Sequence, residues 1–468
     1  MTETVHDQQP PRVMGFLDLA LFYIVTGVSL RWIATAAAAG PGSLFVWFGA
    51  FALFYIPLAL SVLELSSRHP DEGGLYAWTR RAFGDFPGFL AGWCYWTSNL
   101  PYFPAVFYFA ASNALYVGGD RWIALEDSPS FFMWFAFAAL ALIAVLNIVG
   151  LKHARWLHNI GAYGMWVPVA IVVILGFSSW AVRGSATEFS FETMAPSFEL
   201  KDMVFWAALA FAFSGSEAAS FMSGEIRDPR RTIPRALVFA GAAIALCYIV
   251  GTISVLLALP PGEVNPLSGL LQAVSYTAEQ LGFLWIVPVT ALLITVGNIG
   301  AAGGFLAATS RLPFAAGMDH LLPRAFGELH PRWGTPHVAI LTQAVLGGVF
   351  VFLGQAGTSV QGAYDVLVSM GIITAFIPFL FVFLALIKMQ GEPAGPDTIR
   401  IPGGRPVAIL VACVGLVVTS FAIILAMLPA ADEPHPVLAM TKIIGLSALL
   451  IGAGWAIYAA SKKRAKKA

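Results

Sequence analysis

Long apolar stretches dominate this chain, and its polar residues gather in the short gaps between them. Twelve stretches have the length of a membrane-spanning helix: 14–37, 43–64, 84–117, 131–150, 159–181, 203–224, 234–259, 281–312, 336–354, 363–388, 406–428 and 439–461. A spanning helix needs about 20 mainly apolar residues. The third and eighth stretches are longer, which predicts tilt, a kink or a part outside the bilayer. Two of the twelve are interrupted near their middle by small residues. Thr26-Gly27-Val28-Ser29 interrupts the first, and Ser214-Gly215-Ser216, followed at once by Glu217, interrupts the sixth. A helix in lipid satisfies its own backbone hydrogen bonds, so irregular backbone at that depth is tolerated only where protein or a wet cavity replaces lipid. Either interruption alone reads equally well as a kink or a close-packing site, because small residues are common in membrane helices. Two of them at matching places in two halves of a chain point to the substrate site of a transporter.

Composition supports the same class. Of 468 residues, 58% are apolar and 11% charged, with net charge zero; a soluble domain is about 25% charged. The expectation is an all-α polytopic membrane protein. The placement of charge adds orientation. With the N-terminus in the cytoplasm, the 26 Lys and Arg divide 21 on the cytoplasmic side and 4 on the other, with Arg31 left inside the first stretch. That asymmetry predicts cytoplasmic ends on both sides of the chain. It gives a cytoplasmic tail at 1–13, five spans over 14–181, five more over 203–388, two over 406–461, and a basic tail at 462–468 that anchors topology against anionic lipid. The first five spans start in the cytoplasm and the next five outside, so a shared fold relates them by a two-fold axis in the membrane plane. The polar lead Met1–Arg12 carries acids and the first stretch is too long for a cleavable signal, so it reads as a retained helix. Cys94, Cys247 and Cys413 lie in apolar stretches, which argues for buried small hydrophobes and against a disulfide framework.

Several function classes lack their residues. There is no Gly-rich phosphate loop for ATP, no His-Glu-x-x-His, no Cys/His cluster at metal spacing, and no basic surface interleaved with aromatics for nucleic acid. No cofactor and no catalytic constellation is expected.

Three stretches resemble the amino acid–polyamine–organocation superfamily. They are Phe213-Ser214-Gly215-Ser216-Glu217 running into Gly224-Glu225-Ile226-Arg227-Asp228-Pro229; Pro70-Asp71-Glu72-Gly73-Gly74-Leu75-Tyr76 with Ala82-Phe83-Gly84; and Ser310-Arg311 through Asp319, Leu322-Pro323 and Gly334-Thr335-Pro336. The resemblance implies the LeuT-type fold, a five-plus-five inverted repeat with two added C-terminal helices, and a secondary active transporter of amino acids or related amines working by alternating access. Polyamine or organic-cation transport is the alternative, and a non-transporting sensor or scaffold with the same fold is a third. Three departures stand out. Ser29 replaces the second glycine of the family's first break, Arg31 replaces an aromatic that often follows it, and Ala162-Tyr163-Gly164 has no lysine where some members carry one in place of a sodium ion. The coupling proton or ion, and symport against antiport, stay open.

Helix-terminus physics and the resemblance together suggest the roles. A half-helix starting after a break offers amide N–H groups to a carboxylate, and one ending at a break offers carbonyls to an ammonium. The α-carboxylate is assigned to Gly27, Val28 and Ser29, and the α-amino group to carbonyls near Thr26 and Phe211, with Ser214, Gly215 and Ser216 completing the second break. Phe211 is read as a gating aromatic or a packing one. Asn99, in Trp96-Thr97-Ser98-Asn99, is read as a substrate contact or an interhelical hydrogen bond; Tyr102 and Tyr364 are weaker candidates. Glu217 holds a cytoplasmic gate, carries a proton, or makes a packing hydrogen bond. Arg31, four residues after Gly27, either gives a second anion partner or snorkels to the external surface; its distance along the helix favours the surface. The loop Glu225–Arg235 is expected to hold salt bridges that change between states, or to be solvated.

Overall fold

The computed structural model describes residues 14–69, 74–149, 151–217, 226–310, 322–393, 395–396, 398–430 and 433–465. The motif residues at 70–73, 224–225 and 311–319, and the side chains of Thr26, Ala162 and Tyr163, lie outside that description. Among the described residues the fold is all-helical, with one isolated bridge between Met14 and Ile226. Nine helices among the described residues are long and apolar enough to cross a membrane. The first and third predicted stretches are absent from those nine because each is divided, and the sixth because its helix ends at Phe211.

The first stretch forms α1 (Phe16–Gly27) and α2 (Arg31–Ala38). The second is α3 (Ser43–Arg68), which widens into a π-helical turn at Phe51–Tyr55. Next comes α4 (Gly74–Phe83), a short amphipathic helix with no apolar run to announce it. The third stretch is split at Ser98 into α5 (Asp85–Thr97) and α6 (Asn99–Ala114). Then follow α7 (Pro129–Val149) and α8 (Leu151–Arg183), the latter starting eight residues before its predicted stretch. The sixth stretch begins as α9 (Leu200–Phe211) and gives way to turns through Glu217. The remaining helices are α10 (Pro229–Ala258), α11 (Gly269–Leu281), α12 (Ile286–Thr309), α13 (His337–Gln355), α14 (Val360–Met389), α15 (Gly404–Ala426) and α16 (Pro436–Ala465).

Local chemistry sets several of these ends. Pro229 sits at the first position of α10, where its missing N–H costs nothing. Gly282, in the left-handed region, closes α11 and so shortens the eighth stretch from the predicted 281 start to Ile286. The Ser359 hydroxyl caps α14 by accepting from the Gly362 amide.

Most of α14 is buried and little of α15 and α16 is, which places α14 inside the bundle and the last two helices at its margin. Large apolar side chains such as Trp134, Val238, Val417 and Trp455 point outward, where a bilayer is their only apolar partner. Cys94 and Cys247 are buried as expected, but Cys413 is exposed on α15. That corrects the buried reading: α15 contributes an outward face as well as a packed one.

Candidate functional site

Both interruptions exist, and their backbones differ. At the first, the Val28 amide closes α1 onto Ile24 O at 3.0 Å, and Val28 itself is extended (φ −94°, ψ 129°). The chain regains helical dihedrals at Leu30, and the Trp32 and Ile33 amides bond Ser29 O and Leu30 O. At the second, α9 stops at Phe211, three residues before the small-residue cluster. The Phe213 amide reaches back to Ala210 O at 3.1 Å and the Ser214 amide to Phe211 O at 2.9 Å, a tightening to three-residue bonds. Gly215 then takes φ +116°, which a side-chain-bearing residue rarely adopts.

One side chain joins the two interruptions. Tyr248 on α10, a helix that packs along both α1 and α2, is fully buried. Its hydroxyl donates to Gly27 O at 2.7 Å, with Ala212 O 3.2 Å away as a second acceptor, and it accepts from the Ser29 amide at 3.1 Å. The ring is held flat against Trp47 (4.5 Å between centroids, 8° between planes) and edge-on to Phe213. Sequence reading missed Tyr248. The available signal was a tyrosine in mid-span, since a buried phenol needs a hydrogen-bond partner.

The poles assigned to ligand are therefore partly closed on protein groups. Val28 donates to Ile24, Ser29 to Tyr248, and the Gly215 amide to Glu217 Oε2 at 2.9 Å. Phe211 O accepts from both the amide and the hydroxyl of Ser214. Ser216 differs: its hydroxyl is buried and has no hydrogen-bond partner.

Arg31 is 3% exposed, so it does not snorkel to a surface. Its guanidinium lies 4.1 Å from the Trp32 ring centroid and 5.3 Å from that of Tyr102, and aromatic faces replace water around it. Trp32 is the aromatic that sequence reading missed at this break, one place after the arginine. Its ring packs edge-on against Phe211 (5.9 Å), and Phe211 packs in turn against Phe376 of α14 (5.7 Å). Trp32, Thr35, Tyr364, Asp365 and Ser369 line a cavity of about 580 Å³ between α2, α9 and α14. Phe211 thus belongs to an aromatic layer beside that cavity.

Glu217 is buried, accepting from the Gly215 amide and from the Tyr95 hydroxyl at 3.2 Å, and it acts electrostatically on Tyr23 and Tyr55. The π-helical turn of α3 brings Phe51 and Tyr55 against Phe213 beside it. Asn99 spends its amide nitrogen on the carbonyls of Tyr95 and Trp96 in the last turn of α5, which leaves only Oδ1 to offer elsewhere. Tyr102 packs at a tilt against Phe305, and the Tyr364 hydroxyl, close to Arg31, has no hydrogen-bond partner. In the loop region, Arg231 approaches Asp228 at 3.9 Å and Arg230 donates to Pro396 O.

A family model described as "Amino acid permease" matches residues 14–449. An uncharacterized transporter of Legionella pneumophila is 26% identical over 436 residues, covering 90% of this chain and 91% of its own. The serine/threonine exchanger SteT of Bacillus subtilis is 25% identical over 80% of this chain and 81% of its own. A probable agmatine/putrescine antiporter of Lactococcus lactis is 21% identical, with 79% and 78% covered.

Proposed function

The chain belongs to the amino acid permease family, and from that premise we propose that it moves amino acids or closely related amines across the cytoplasmic membrane by alternating access around the two interruptions. In this account residues 14–181 and 203–388 form inverted repeats of the LeuT type, with α15 and α16 added at the margin and both chain ends in the cytoplasm. The observation that carries the account is the reach of Tyr248. One hydroxyl contacts Gly27 O, the Ser29 amide and Ala212 O, so the two interruptions lie within a single side chain of each other.

The chemistry follows from the unsatisfied ends of broken helices. The substrate carboxylate takes the Ser29 amide from the Tyr248 hydroxyl and adds the free Ser216 hydroxyl. The ammonium takes the carbonyls of Gly27, Ala212 and the last turns of α1 and α9. Tyr248 stands in for the ligand while the site is empty, which spares buried poles the cost of having no partner. The cavity lined by Trp32 and Tyr364 is the external vestibule, and the layer of Trp32, Phe211 and Phe376 separates it from the interruptions. Movement of Phe211 out of that layer opens the site outward. Glu217, bonded to the backbone of the second interruption, couples substrate to a proton or to exchange. The relative named as a serine/threonine exchanger favours exchange.

Counterflow in proteoliposomes tests this. Vesicles loaded with an amino acid are expected to take up the same labelled amino acid saturably. Glu217→Gln is expected to remove the response of net uptake to an imposed pH gradient. A well-folded protein that exchanges no amino acid or amine would instead be a sensor or scaffold.

A further inference from the structure

Arg31 is a permanent cation placed where its charge is not answered. Its Nε and Nη1 are buried and have no hydrogen-bond partner, and no carboxylate among the described residues pairs with it. Glu217 is the nearby buried acid of the second interruption, but it is held by Gly215 and Tyr95, and Arg31 is not among the groups acting on it. The rings of Trp32 and Tyr102 cover the guanidinium. Aromatic faces attract the charge but accept no in-plane N–H bond, so Nε and Nη1 stay unsatisfied. An uncompensated charge buried this way is costly unless something pairs with it.

The position identifies what does. Arg31 acts electrostatically on Tyr364, which lines the outer cavity, and on Tyr248, which joins the two interruptions. The guanidinium packs on the Trp32 ring, which lines the outer cavity, and Arg31 opens α2 two residues after Ser29, whose amide meets Tyr248. A zwitterionic neutral amino acid brings one charge of each sign and leaves the guanidinium's charge unbalanced. A substrate of net charge −1 balances it. A diamine brings further positive charge and no anion for the guanidinium.

We infer that the transported amino acid carries a second carboxylate, which pairs with the Arg31 guanidinium while its α-amino and α-carboxylate groups meet the interruptions. The inference rests on the amino acid transport proposed for the same site and names its substrate class. Nε and Nη1 are both left as charged donors for a carboxylate, so Arg31 is a specificity-determining residue.

The test is competition for uptake by the full-length protein in proteoliposomes, using pairs that share a shape and differ in charge: glutamate with glutamine, and aspartate with asparagine. The acids are expected to outcompete their amides by roughly 30-fold or more, the scale of a buried charge pair. Arg31→Met is expected to collapse that ratio toward one, and Arg31→Lys to restore part of it. If Arg31→Met does not fold, the wild-type ratio alone decides. Amides carried as well as or better than acids would overturn the inference and leave amino acid transport standing. Dicarboxylates lacking an amine, carried as well as the acidic amino acids, would also overturn it. No amino acid carried at all would overturn both.

Discussion

At the scale of single residues, the site turns on groups whose hydrogen bonds are either shared or missing. Tyr248 shares: one hydroxyl serves an amide and two carbonyls from helix ends that no lipid could satisfy. Tyr248→Phe keeps the ring against Trp47 but leaves the Ser29 amide and Gly27 carbonyl without it. The expected cost is about 1–3 kcal/mol, the penalty for burying unsatisfied polar groups, read as a lower unfolding midpoint in detergent. A transported amino acid should then raise the midpoint of the variant more than that of wild type, because the Ser29 amide is free to receive it. Equal rises would show that substrate and phenol do not compete. Arg31 shows why residue-level reading from sequence was incomplete. Counting along an unbroken helix carried it toward the outer surface, but the rings of Trp32 and Tyr102 enclose it instead. Those rings belong to its sequence neighbour and to a distant helix, so only the first was within reach of the sequence.

At the scale of elements, the long spans were legible because the bilayer imposes their length and composition. The end of α1 at Gly27 falls inside the cluster Thr26–Ser29 named for the first interruption. The second was read late: its small residues mark Ser214 to Ser216, while the helix already ends at Phe211 through tightened turns. The helices α4 and α11 escaped because they are short and amphipathic and carry no membrane-length run. Close helix approach was also hidden, because glycine is ambiguous in a sequence. A Cβ placed on Gly164 of α8 would meet the Gly297 Cα and the Leu293 carbonyl of α12 at 2.5 Å, and one on Gly297 would meet Gly164 backbone at 2.7 Å. The two helices touch backbone to backbone, as small residues permit in membranes. The absent lysine near this place thus has a steric counterpart, since a long side chain at Gly164 would collide with α12. Gly297→Val is expected to push α12 off α8 and cost about 1–3 kcal/mol, measured as reduced thermal stability; unchanged stability would show that the helices can separate freely.

At the scale of the whole molecule, one face of the bundle is tied together by charge and the interior is left ready to move. Glu64 and Arg68, at the end of α3, form a buried pair at 2.8 Å. Glu64 also accepts from the Gln390 side chain at 2.6 Å and from the Ile401 amide, and Arg68 donates to Met389 O. The pair fastens α3 to the end of α14 and to the segment leading into α15. Arg68→Met leaves Glu64 buried without its cation and is expected to cost about 3–5 kcal/mol, seen as a lower unfolding midpoint. On the same face Arg227 N donates to Met14 O at 2.9 Å, so the start of the first span is tied to the chain that follows the sixth. Both interrupted spans are then linked twice, here and through Tyr248, which is the coupling that a single alternating unit requires. Gly215, held at φ +116° where other residues are strained, offers the sharpest probe of that unit. The decisive measurement is amino acid counterflow in proteoliposomes by wild type and Gly215→Val, both confirmed monodisperse. Saturable exchange by wild type and its loss in Gly215→Val is the predicted result. Undiminished exchange by Gly215→Val, or none by well-folded wild type, would contradict a substrate held between the two helix interruptions.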